Sequence, residues 1–199
     1  MLTRKGEQTR ARIVAGAADE IRERGVDEVR LEDVMARTRT SKSQLFHYFP
    51  DGKEQLLLAV ARHEADRVLD DQQPMLGDLT SWAAWERWRE RVVERYREQG
   101  TDCPLTIVMG HLGRRSAGAQ SVVDGLMTRW QAALADGIRH MQASGEMPGE
   151  LDADRAAAGL LAGVQGGVLL LLSSGRTEHL EAALDLAFTG LRGSATGRW

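Results

Sequence analysis

Between Ser41 and Pro50 the chain carries both a start and a stop signal for a helix, barely two turns apart. Ser41-Lys42-Ser43-Gln44 has the S-x-x-Q form of a capping box, in which the serine oxygen and the glutamine side chain each satisfy an amide that the first turn leaves unbonded. Phe49-Pro50 closes the helix, because the proline ring pushes the residue before it out of the helical region. A helix this short is not stable alone and has to be held by packing. At about 100° per residue Leu45, Phe49 and Phe46 share an apolar arc roughly 100° wide, suited to seating against Leu31, Val34 and Ile21. Ser43, Gln44, His47 and Tyr48 fall on the opposite side.

Helical periodicity extends over the rest of the chain, and no stretch alternates as a strand would. Ile13, Val14, Ala17, Ala18 and Ile21 line one face of a helix that Gly25 ends, and Leu31, Val34 and Met35 mark a short second helix. Beyond Pro50 come a long helix with Leu56, Leu57, Val60 and Val68, and another from Ser81 to Glu98. After a Cys103-Pro104 break, Leu105 to Leu112 reads as a shorter helix and Gly113 to Gly118 as a loop. A seam of Val123, Met127, Trp130, Leu134, Gly137 and Met141 precedes Asp152 to Leu172 and a last helix capped by Thr177. The expected fold is all-α with about nine helices: a three-helix head over residues 1–52 and a larger helical body over 53–199.

Several classes are excluded or left unmotivated. One cysteine allows no internal disulfide, and the charged first eight residues do not resemble a secretory signal, so the expected compartment is the reducing cytoplasm. Ala156 to Leu172 is uncharged, but Gln165 and four glycines dilute it and no aromatic belt flanks it; a packed helix is expected and no membrane span. No nucleotide-binding or nucleophile motif occurs, and the five histidines never stand three or four apart. No catalytic residue, metal or cofactor is therefore assigned. The net charge of −3 divides unevenly, +2 over residues 1–50 and −5 over the remainder. From Val34 to Pro50 there is no acidic residue, while Arg37, Arg39 and Lys42 fall there. That end tolerates a polyanion.

Two short helices joined by Thr38-Arg39-Thr40 have the layout of a helix-turn-helix, whose second helix enters the major groove. On that reading Ser43, Gln44, His47 and Tyr48 offer hydroxyl, amide and ring groups to base edges, and Ser41 and Lys42 meet a phosphate. An ordinary helical hairpin with a polar face is the alternative reading of the same residues.

Thr9-Arg10-x-Arg12-Ile13, Glu32-Asp33-Val34, Ser41 to Pro50 and Lys53-Glu54-Gln55-Leu56 together resemble the DNA-binding domain of the TetR family of transcriptional regulators, over about residues 8 to 60. The resemblance implies a homodimeric repressor of operator DNA with a small-molecule effector in the C-terminal body. It places Lys42, Gln44, His47, Tyr48 and Lys53 at DNA-contact positions and Leu45 and Phe49 in the core. It also implies that the last two helices form the dimer, with Gly159, Gly163 and Gly167 at the close approach and Leu184, Phe188 and Leu191 supplying buried area. The chain departs from the family where an Ala-Gly-Val turn is common, having Thr38-Arg39-Thr40 instead. Arg30 stands where a capping Thr or Ser is usual; it cannot cap, but it can reach a phosphate, and Arg39 is a further candidate DNA-binding residue.

The aromatic body is the candidate effector site. Trp82, Trp85 and Trp88, with Tyr96, Met109, His111, Met127 and Trp130, are candidates to line an apolar cavity with a few polar handles, and plain core packing is the competing explanation. A helical ligand-binding protein or enzyme without DNA affinity, or a helical adaptor, remains an alternative to the regulator.

Overall fold

A computed structural model of the chain describes residues 3–100, 105, 109, 111, 112 and 117–193. Among them every regular element is helical: α1 (Arg4–Arg24), α2 (Leu31–Thr38), α3 (Lys42–Tyr48), α4 (Lys53–Asp70), a 3₁₀ turn (Met75–Gly77), α5 (Trp82–Gln99), α6 (Ala117–Ala143), α7 (Ala153–Ser174) and α8 (Glu178–Leu191). The all-α expectation holds. The expected helix over Leu105 to Leu112 has four described residues, Leu105, Met109, His111 and Leu112, and all four are helical. The Cys103-Pro104 break and the tail beyond Gly193 lie outside the described residues. Of the loop expected over Gly113 to Gly118, Ala117 and Gly118 are described and already belong to α6. Gly118 is a packing residue there: a Cβ would meet the Leu58 side chain at 2.8 Å.

The described residues form two compact units. One runs up to Val68 and takes in those between 102 and 124; the other holds 69–100 and those from Gly125 onward. The first unit is thus larger than the head expected at 1–52.

In the first unit α1 buries Ile13, Val14, Ala17, Ala18 and Ile21, and it stops at Gly25, whose φ of 81° suits glycine. Contact between α1 and α2 depends on Gly16, where a Cβ would lie 2.3 Å from Thr38 Cγ2. Glycine at this point lets the end of α2 rest on the α1 backbone.

In the second unit Trp85 and Trp88 are fully buried with their rings edge-on, and Trp88 Nε1 donates to Gln72 Oε1 at 2.8 Å. The helices α7 and α8 form a tight pair, since a Cβ on Gly167 would come within 2.5 Å of Leu180 Cα. Thr177 stands before α8 without capping it: its hydroxyl donates to Glu181 Oε1 at 2.7 Å instead of accepting a backbone amide.

Candidate nucleic-acid interface

The capping box expected at Ser41 is present in full. Ser41 Oγ accepts the Gln44 amide at 3.2 Å, and Gln44 Oε1 accepts the Ser41 amide at 3.2 Å. The helix ends at Phe49, with φ −135° and ψ 71°, immediately before Pro50. Leu45 and Phe49 are 0% exposed, and the Arg10 guanidinium of α1 covers the Phe49 ring at 5.3 Å. These two side chains seat α3; burying each contributes about 1.5–3 kcal/mol.

The opposite face is open. Ser41, Lys42, Ser43, Gln44 and His47 are exposed and Tyr48 is half-buried, its ring edge-on to His47 at 4.9 Å. Phe46, expected in the apolar stripe, is 38% exposed instead. It sits at the edge of the buried arc, beside Gly52, whose missing side chain leaves the ring at the rim. A capping Gln44 presents its amide nitrogen outward, whereas a bidentate contact to adenine needs the oxygen as well. Capping and base reading therefore compete for one atom.

Two of the cations expected to meet phosphate differ from the rest. Lys53 is half-buried, with Nζ donating to the Val26 carbonyl at 3.0 Å. Arg30 precedes α2 without capping it, and Asp33 Oδ2 takes the Arg30 amide at 3.0 Å. Arg39 occupies the turn in left-handed backbone, φ 48° and ψ 47°, so the tight turn persists without glycine.

Charge is segregated within this unit. Glu20, with a side chain 4% exposed, lies between Arg37 Nε at 2.6 Å and Arg24 Nε at 3.2 Å. Hydrogen bonds that Arg37 donates to Glu23 and Glu20 hold its guanidinium above its usual pKa, so this arginine is a committed structural cation. Glu64 likewise pairs with Arg22 at 3.3 Å and Arg67 at 3.6 Å. Arg30, Arg39 and Lys42 have no such partner among the described residues. The sequence did not reveal this division, since Arg37 and Arg39 look alike in it; only the reach of Arg37 to Glu20 and Glu23 separates them.

The expected effector residues divide between the units, Met109 and His111 in the first and the other six in the second. His111 is exposed, with Nδ1 3.1 Å from Asp27 Oδ1. Trp82 and Trp85 pack on Phe188 with centroids 6.3 and 5.9 Å apart, Arg192 lies over Trp82 at 4.6 Å, and Tyr96 is buried under Arg95. Trp130 is fully buried and Met127 half-buried. The tryptophans are thus largely core. A cleft of about 560 Å³ in the second unit is lined by Met75, Arg87, Val93, Arg97 and Glu181 among others, and by none of the eight. Two buried indole N–H groups, Trp85 Nε1 and Trp130 Nε1, have no hydrogen-bond partner among the described residues.

The helices expected to form the dimer are arranged differently from the expectation. Leu184, Phe188 and Leu191 are 0, 3 and 3% exposed within one chain, so they have no area left for a partner. Gly163 and Gly167 face α8 of the same chain, through Ala183 and Leu180, while a Cβ on Gly159 would meet open space. The close approach signalled by the glycine spacing is intramolecular. A stripe of Gly159, Ala162, Gly166, Leu169 and Leu170 on α7 is exposed instead, and Leu186 on α8 is exposed as well. Leu169, Leu170 and Leu186 are 65, 46 and 71% exposed. The helix α7 is long and apolar enough to cross a membrane, but its other face packs on α8 as in a helix of a folded core.

Comparison with known proteins matches two parts of the chain. Residues 13–60 match the bacterial regulatory proteins of the tetR family, and residues 81–187, more than half of the chain, match the tetracyclin repressor-like C-terminal domain. An uncharacterized HTH-type transcriptional regulator of Mycobacterium tuberculosis is 29% identical over 145 residues, 65% of this chain and 71% of that protein. The transcriptional regulator AcuR of Cereibacter sphaeroides is 24% identical over 166 residues, 79% of this chain and 73% of the relative. The crystal structure of a TetR transcriptional regulator from Chloroflexus aurantiacus superposes with a TM-score of 0.71 at 25% identity, over 94% of this chain and 96% of the other.

Proposed function

Because the chain belongs to the tetR family of bacterial regulatory proteins and is on that ground a DNA-binding transcriptional regulator, we propose that it is a homodimeric repressor released from its operator by a small molecule. The observation that carries the DNA half of this reading is the polarity of α3, with Leu45 and Phe49 fully buried and Lys42, Ser43, Gln44 and His47 exposed. In the complex Ser41, Lys42, Lys53 and Arg30 meet phosphates, and Ser43, Gln44, His47 and Tyr48 face base edges. Lys53 must leave the Val26 carbonyl to do so.

The exposed apolar stripe of α7 and α8 supports the dimer. Two α3 helices related by a two-fold axis then enter successive major grooves roughly 34–36 Å apart, and the operator is pseudo-palindromic. The two unpartnered indoles support an effector in the second unit, apolar in body and carrying a hydrogen-bond acceptor. Such a molecule acts by differential affinity: weakening operator binding a hundredfold requires it to favour the released dimer by about 2.7 kcal/mol. The protein works without catalysis, in the cytoplasm, where its operator is.

The test uses a duplex selected by the chain from fragments of genomic DNA. Lys42→Ala is expected to weaken binding to all sequences and to flatten the log–log salt slope by about one unit for each phosphate it no longer neutralises, while Gln44→Ala changes base preference at one position per half-site. Unchanged binding by both variants would show that α3 presents another face.

A further inference from the structure

Left-handed backbone suits glycine because any Cβ crowds the following carbonyl oxygen. Among the described residues seven positions have positive φ, and six of them are glycines; the seventh is Arg39. Its side chain gives nothing back to the fold. It is exposed, and no described residue bonds to its guanidinium. Three acids of α1 and α2 are paired with other arginines, Glu20 and Glu23 with Arg37 and Asp33 with Arg24 at 3.3 Å.

The backbone on either side is pinned. Thr38 and Thr40 are 4 and 5% exposed. Thr38 Oγ1 donates to the Val34 carbonyl at 2.6 Å and lies 2.9 Å from Thr40 Oγ1, while the Thr40 amide donates to the Met35 carbonyl at 3.0 Å. The left-handed step lets both threonines turn inward with Arg39 outward, three residues ahead of Lys42. A strained residue that makes no bond within its own fold is a reason to look for a partner outside it.

We propose that Arg39 is a phosphate clamp of the operator complex and that the chain keeps a strained turn in order to carry it. The inference rests on the DNA-binding reading above and adds to it a phosphate partner whose removal also has a stability signature. A guanidinium matches two phosphate oxygens with parallel N–H donors, and a base held by buried threonines leaves less backbone freedom to lose on binding.

The experiment uses the full chain and the duplex that the unmodified chain selects, with melting and salt titration measured on the same preparations. Arg39→Gly is expected to raise the melting midpoint by about 2–4 °C. The same variant is expected to bind the duplex about tenfold more weakly, with a log–log salt slope shallower by roughly two units, about 0.9 for the phosphate released by each protomer. Arg39→Asn, whose side chain tolerates left-handed backbone, is expected to lose affinity equally, and Arg39→Lys to keep most of the slope. Arg39→Gly and Arg39→Asn binding like the parent, while the parent binds duplex with normal salt sensitivity, would overturn the clamp and leave the DNA-binding reading intact. A parent chain without salt-sensitive duplex binding would remove both. A lowered midpoint in Arg39→Gly would contradict the strained turn.

Discussion

Replacing Leu45 by alanine is expected to lower the melting midpoint by roughly 4–20 °C, the equivalent of about 2–5 kcal/mol in a chain of this size. The side chain is 0% exposed, and α3 has only seven residues, too few to hold its shape without that anchor. Duplex binding should be lost with it, because the outward residues keep their spacing only while the inward side is seated. Phe46→Ala is the control one residue along: at 38% exposure it should cost far less. Thermal melting of the pair checks the assignment of faces, and a Leu45→Ala chain that melts like its parent would contradict it.

The second large effect concerns the exposed apolar stripe. The double variant Leu169→Asp, Leu186→Asp puts charge on side chains that are 65 and 71% exposed in the single chain, so the protomer core should tolerate it. Burial of four carboxylates, two from each protomer, across a symmetric interface would not be tolerated, and sedimentation is expected to show a monomer. Operator affinity should then fall by about a hundredfold or more, since the second half-site is no longer presented at high effective concentration. A variant that stays dimeric would place the interface elsewhere.

The head was legible in the sequence because its signals are local. The Ser41 capping box, the stop at Pro50 and the arc of Leu45 and Phe49 each fix geometry within one or two turns, and the structure has all three. Where partners come from far along the chain, the pattern is ambiguous. The spacing of Gly163 and Gly167 announced a close helix approach correctly, but not that the partner is Leu180 and Ala183 of the same chain. Leu184 and Phe188 have the same pattern whether they face a second protomer or, as here, their own core. The tryptophans of α5 pose the same ambiguity: an aromatic stripe describes a buried face equally well whether rings or a ligand lie against it. Arg39 could be seen as a missing glycine, yet only the structure shows that the turn remains tight and that its guanidinium is left unpaired among the described residues.

The most direct test of the paired-helix account is a hydroxyl-radical footprint of the intact chain on the duplex it selects. The account predicts two protected patches on one face of the DNA, related by a two-fold axis and about 10–10.5 base pairs apart, fading together as salt rises. A single patch, or protection that is unmoved by salt, would contradict it.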